Sequence, residues 1–271
     1  MDLVRQVRDD DIFNGGAALG FYLTLAIFPA MIFLMALIPY LPIANVDEAI
    51  MDLLSQALPK GAVGTFSKVV QEVTNEQRGG LLSLGIAGAL WAASTGMYAV
   101  MQQLNIAFDV RERRGFMHAR ATALVLTVLF GGLVLAAFSL IVLGGVFQDW
   151  LGNRWGFSPP LLGFFVVFRW VVIVFALLLA LALVYHFAPN RKHRFRVITP
   201  GTAVSTLLMI VASVGFSLFA SRFGNYSAVY GSIGAVILLM LSLYLSGVVI
   251  LLGAEVDGLL ERRDRERTDR S

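Results

Sequence analysis

The sequence contains no cysteine, which excludes disulfides, thiolate nucleophiles and cysteine-ligated metals. Charge is also scarce: only 14% of the 271 residues are Asp, Glu, Lys or Arg, against about 25% in a typical soluble domain. A water-soluble globule of this length needs a polar surface, so a large core cannot account for the shortfall. The three histidines, His118, His186 and His193, have no ligand spacing such as HxxxH and join no carboxylate cluster, so no metal site is expected. GxSxG, HExxH and Walker A patterns are missing, which removes the main support for hydrolase, metalloprotease and nucleotide-hydrolysing readings. No cofactor is implied.

What is present is apolar: 58% of the residues are hydrophobic, with a mean hydropathy of +0.76. Stretches 12–45, 80–108, 121–148 and 223–254 carry no charged residue. A spanning helix needs roughly 20 apolar residues to cross about 30 Å of hydrocarbon. The pattern predicts an all-α polytopic membrane bundle, one domain over residues 1–271, with six transmembrane helices at about 17–41, 80–107, 121–147, 162–188, 199–220 and 230–255. The first apolar stretch is too long for a signal-peptide core, so it is expected to insert uncleaved. Residues 46–78 alternate apolar and polar positions at helical spacing around Pro59-Lys60-Gly61 and read as a periplasmic amphipathic hairpin, either a cap or a lid.

The cations set the orientation. The N-terminus, the loop from Arg111 to Arg120, the loop from Arg191 to Arg196 and the tail from Arg262 to Arg270 hold fifteen of the 21 Lys and Arg residues. The opposite side holds five, and Arg169 lies within the fourth span. This bias puts both termini in the cytoplasm of a bacterial inner membrane. Trp150 and Trp155 flank an outer loop, where interfacial indoles are expected. The basic loops suit anionic headgroups better than nucleic acid, because they are short and already act as topology determinants. Membrane lipids are therefore the expected contacts, with no nucleic-acid partner.

Arg169 is the most informative single residue. It sits about 10 Å into its span at about 1.5 Å per residue, where an unpaired guanidinium costs at least about 2.5–3.5 kcal/mol. It either snorkels to the outer headgroups or faces a polar cavity and holds an anion such as a phosphate. The second span ends in Ser94, Thr95, Gln102, Gln103 and Asn105, which either bond neighbouring helices or line a hydrated vestibule. Ser232, Ala235, Ser242, Ser246 and Gly253 share one face of the last span, with Asp257 continuing it, as a packing stripe or a narrow pathway wall. Pro29, Pro39, Gly15, Gly16 and Gly20 in the first span could interrupt a helix, as binding-site helices of some transporters are interrupted.

Several ordered blocks then resemble one family across nearly the whole chain. They are Ala18 to Tyr22 with Ala26 to Pro29, Trp91 to Met97, Leu104-Asn105 with Asp109-Val110, Tyr185 with Ala188-Pro189-Asn190-Arg191, and Thr199-Pro200-Gly201. The most distinctive are Phe223-Gly224-Asn225-Tyr226, Tyr230 to Ile237, and Leu252-Gly253-Ala254-Glu255. In these the sequence resembles the YihY/BrkB family of bacterial membrane proteins. Ser242 stands where members often have Trp, and Asp257 where they often have Asn.

The resemblance implies a six-span inner-membrane protein, a transport role as the usual conjecture and links to the cell envelope. It also brings a ribonuclease label that no acid–base constellation here supports. The expected function is translocation of an envelope lipid or other amphiphilic anion. The alternative is a non-transporting structural or assembly factor with an envelope-biogenesis partner. The candidate substrate path comprises Arg169, Ser94, Gln102, Asn105, Tyr230, Ser232 and Glu255.

Overall fold

The computed structural model describes residues 3–37, 79–155, 159–191, 195–222 and 226–268, with side chains over a narrower set. Seven helices account for the regular structure of these residues, and no strand occurs among them. They are α1 (Leu3–Asp9), α2 (Ile12–Leu37), α3 (Gly79–Ala107), α4 (Phe116–Trp155), α5 (Pro159–Phe187), α6 (Pro200–Arg222) and α7 (Tyr226–Thr268). The six long helices fall where the apolar stretches predict them. The expected hairpin 46–78, Pro39, and the side chains of Trp150 and Trp155 lie outside the described residues.

Among the described residues, four segments are long and apolar enough to cross a membrane: Phe116–Ala137, Gly163–Phe187, Pro200–Ala220 and Val236–Arg263. Their surfaces require a nonaqueous solvent. Phe164 is 64% exposed, Val167 62% and Leu218 62%, within continuous apolar faces that water would not tolerate. Packing is concentrated at one end. On α5 no described side chain from Gly163 to Leu179 is buried, whereas Ala180, Leu181, Ala182, Val184 and Tyr185 all are. The same change occurs along α6, buried at Gly201, Thr202, Ser205 and Thr206 but nowhere from Leu207 to Ala220.

Close helix approaches explain that gradient. α2 continues through Pro29 as one helix, and its glycines are packing sites rather than breaks. A Cβ on Gly20 would lie 3.2 Å from the Tyr244 Cα, and one on Gly16 would meet Val248, so α2 and α7 run antiparallel in contact. A Cβ on Gly253 would collide with Ser205 Oγ, which locks α6 onto α7. The stripe on α7 thus serves packing at Gly253, while Ser246 Oγ turns back to the Ser242 carbonyl at 2.9 Å. Arg120 joins α4 to α3: it donates to Trp91 O (2.7 Å) and Thr95 Oγ1 (2.9 Å), and its guanidinium lies 4.4 Å from the Trp91 ring centroid. Through these antiparallel contacts α1, the 108–115 loop, residues 188–191 and 195–199, and the C-terminal part of α7 gather at one end. Those are the four cation-rich segments.

Candidate functional site

The gathered end is built from helix termini, so its geometry follows from how each helix stops. α3 ends in paired backbone bonds, Val110 N–H to Asn105 O and Asp109 N–H to Ile106 O, both 2.8 Å. This Schellman arrangement needs a left-handed residue, and Asp109 supplies it with φ of 53°. The chain is thereby turned into the basic loop.

Asn105 then ties three segments together. Its Nδ2 donates to Glu112 at 2.9 Å, and its Oδ1 accepts from the Asn190 N–H at 2.8 Å. Asn190 Nδ2 donates to Arg111 O at 3.2 Å. Arg114 donates to both Glu112 oxygens and reaches the terminal carbonyls of α5, with Nη2 2.7 Å from Ala188 O. The Arg114 guanidinium holds the Glu112 carboxyl down from 4.5 to about 2, despite partial burial acting the other way. Arg191 completes the clasp, donating to Glu261 at 2.7 Å with its guanidinium 3.5 Å from the Phe108 ring centroid.

Between these parts lies a cleft of ≈ 810 Å³ lined by residues 109–111, 113–114, 118, 122, 186–187 and 189–191. Its charge is strongly positive. Arg114 and Arg191 are committed to carboxylates, but Arg111, Arg113 and His118 are exposed and make no side-chain bond to any described residue. Two exposed guanidinium groups beside an imidazole form a donor set for an anionic oxygen cluster such as a phosphate.

The neighbouring cap of α6 leaves no donor unmet. Pro200 at the first helical position has no N–H. Gly201 N–H donates to Asp257 Oδ1 at 2.7 Å, Thr202 N–H to Thr199 Oγ1 at 3.1 Å, and Ala203 N–H to Thr199 O at 3.0 Å. Thr199 Oγ1 also donates to Asp257 Oδ2 at 2.6 Å. Beside it, the Tyr185 hydroxyl donates to Ile250 O at 2.5 Å and shares a 2.6 Å bond with Ser205 Oγ.

Of the seven residues of the expected path, five have described side chains. Ser94 is fully buried, with its hydroxyl bonded to Trp91 O of its own helix at 2.7 Å, and Gln102 is exposed on α3. Asn105 belongs to the clasp. Glu255 is fully buried, and neither carboxylate oxygen has a hydrogen-bond partner. Arg169 is half-buried on the loosely packed part of α5, with its Nε buried and unbonded. The side chains of Tyr230 and Ser232 lie outside the described set. None of the seven lines the cleft.

Sequence reasoning gave no role to Asp10, treated Arg120 only as a loop cation, and did not see that Arg111 and Arg113 would share a cleft with His118. Arg120 could have been found, because it adjoins the inward face of α4 formed by Ala119, Ala123 and Leu126. The Asn105–Asn190 bond, spanning 85 positions, left no local signal.

Fold and site together define an all-helical membrane protein whose ordered polar chemistry is concentrated at one end of the bundle. Residues 3–271 match the family described as Virulence factor BrkB, and the chain belongs to it. It is 38% identical over 249 residues to the Bacillus subtilis (strain 168) protein named "Putative ribonuclease-like protein YfkH", covering 92% of this chain and 90% of that one. It is 26% identical over 267 residues to UPF0761 membrane proteins of Xanthomonas campestris pv. campestris (strain B100) and Xanthomonas oryzae pv. oryzae (strain MAFF 311018). Those alignments cover 94% of this chain but only 58% of each Xanthomonas protein. No solved structure matches.

Proposed function

We propose that the chain crosses a bacterial inner membrane six times with both ends in the cytoplasm, and that it translocates an amphiphilic anion, an envelope lipid being the best fit. The observation that carries this reading is the cleft of ≈ 810 Å³ at the cation-rich end, where the side chains of Arg111, Arg113 and His118 make no bond to any described residue. An anionic headgroup would bond the guanidinium groups there, while acyl chains would run along the exposed apolar faces of α5 and α6. Arg169 supports a second contact further along, since its buried Nε has no partner.

The test is transbilayer movement of a fluorescent anionic lipid in proteoliposomes. Arg111→Ala combined with Arg113→Ala should cut the rate at least about tenfold, the loss expected when charge-assisted bonds worth about 1.5–3 kcal/mol are removed. Arg5→Ala, outside the cleft lining, serves as the control. Equal rates in all three proteins would refute the reading and favour the alternative of a structural or assembly factor. The interlocked clasp of Asn105, Arg114, Asn190 and Arg191 is what commends that alternative.

A further inference from the structure

Where α1 lies against α7, the protein buries polar groups that no other described residue satisfies. Glu255 is 0% exposed, and both carboxylate oxygens lack a hydrogen-bond partner. The Asp10 carboxyl stands within hydrogen-bonding reach of it, and Asp10 Oδ2 is likewise buried and unpartnered. Two ionised carboxylates only accept, so this contact needs something positive between them.

A separate side chain on α1 is also buried without a partner. Gln6 is 5% exposed, and neither its Oε1 nor its Nε2 has a partner. It precedes Asp10 by one helical turn, so the two share a face of α1. α1 packs on α7, and that contact buries the face. Arg262, two turns beyond Glu255, projects an unpartnered buried Nη2, and its charge reaches Glu255. The remaining charges of α1 point elsewhere: Arg5 and Asp9 pair with each other on the exposed side, Arg8 is exposed, and Asp11 accepts from Asn14. Asp109, at the end of α3, is exposed and lines the cleft.

Charge balance sets the valence of a ligand that would suit these groups. Among the described residues, Asp10 and Glu255 contribute two negative charges and Arg262 one positive, which leaves one negative charge beside the fully buried Glu255. Buried charge must be compensated. Three carboxylate oxygens and an amide oxygen form a hard donor set suited to a small cation. We propose that Asp10, Glu255 and Gln6 bind one monovalent cation, a proton or a sodium ion, whose occupancy holds α1 against α7. Because α1 precedes the first long helix and α7 carries the basic segment from Arg262 onward, binding and release there would shift these two segments against each other. A gradient of that cation could then act on the cytoplasmic end of the molecule.

The test follows thermal unfolding of the full chain in detergent, with Glu255→Gln and Asp10→Asn as variants. In the sodium case, the wild-type midpoint rises when choline chloride is replaced by sodium chloride at constant ionic strength and pH. In the proton case it ignores that exchange but rises as pH falls from about 8 to about 6, a window above the range where ordinary carboxylates titrate. In either case the response disappears in both variants. The isosteric Glu255→Gln is the sharper probe, and Asp10→Asn, at a less buried position, keeps the experiment decisive should the first not fold. A wild type that responds to neither cation overturns the proposal, as do variants that respond as the wild type does. The readout is stability rather than lipid movement, so its failure would leave the translocation reading standing.

Discussion

Asp257 offers the sharpest stability prediction, because every donor in the first turn of α6 is accounted for. Asp257 is 6% exposed, and it alone accepts from the Gly201 N–H. Asp257→Ala strands that N–H in a buried helix terminus, at about 1–3 kcal/mol. It also removes an anion from the positive end of the helix dipole, worth about 0.3–1 kcal/mol. Thr199 is not stranded, because its hydroxyl also lies 3.1 Å from Thr202 Oγ1. The expected loss is therefore about 2–4 kcal/mol in reversible unfolding in mixed micelles, followed by circular dichroism. Asp257→Asn retains an oxygen for Gly201 and can turn its amide toward Thr199, so it forfeits only the charge and should cost about 1 kcal/mol or less. The order wild type, Asn, Ala tests the cap itself. An Ala variant within about 0.5 kcal/mol of wild type, the usual scatter for neutral surface changes, would refute the accounting, and so would an Asn variant as damaged as Ala.

Two further predictions probe the packed end. Gly253→Ala places a methyl group against Ser205 Oγ and 2.7 Å from both Gly201 O and the Tyr185 hydroxyl. It should destabilise by about 1–3 kcal/mol as an overpacked contact and lower the yield of monodisperse protein. Gly131→Ala, which faces open space, should be neutral or slightly stabilising by size-exclusion profile and unfolding midpoint. For Glu112, a carbon-13 carboxyl titration should find a midpoint near 2, moving toward 4.5 in Arg114→Gln. Because the folded value is depressed, the pair's contribution is fully present above about 4.5 and is lost as pH falls through about 2. Partial exposure keeps that contribution small, and a midpoint of 4.5 in the intact protein would exclude the Glu112–Arg114 pairing.

The helices were legible because lipid-facing segments obey a length rule and carry little charge. Gly79–Ala107 and Pro200–Arg222 begin and end within two residues of the sequence estimates. α4 and α7 run well beyond theirs, since Phe116 to Arg120 and Glu261 to Thr268 continue as helix after the uncharged stretch ends. Charge marks where hydrocarbon stops, not where the backbone must unwind. The site was much less legible. A cation in a loop reads as a topology signal whether it is exposed like Arg111, stacked like Arg120 on Trp91, or clasped like Arg191 to Glu261. Only the fold distinguishes these fates, because each partner is distant in sequence.

The blocks that carry the family resemblance acquire a physical meaning from their positions. Leu104-Asn105 with Asp109-Val110 makes the left-handed stop of α3 and the hub of the clasp. Pro189-Asn190-Arg191 supplies the opposing half. Thr199-Pro200-Gly201 forms the cap that Asp257 closes, and Gly253 and Glu255 flank Ala254 in the buried seam of α7. These segments come from four different parts of the chain, yet they meet at the end where the bundle is tightly packed. Apolar surfaces that face lipid tolerate almost any large hydrophobic side chain, because the contacts are nondirectional. Helix termini that meet with charges, glycines and unpaired backbone groups do not. A distinctive sequence is therefore expected where donors must be matched one by one, and here that is the end holding both the basic cleft and the Asp10–Glu255 pair.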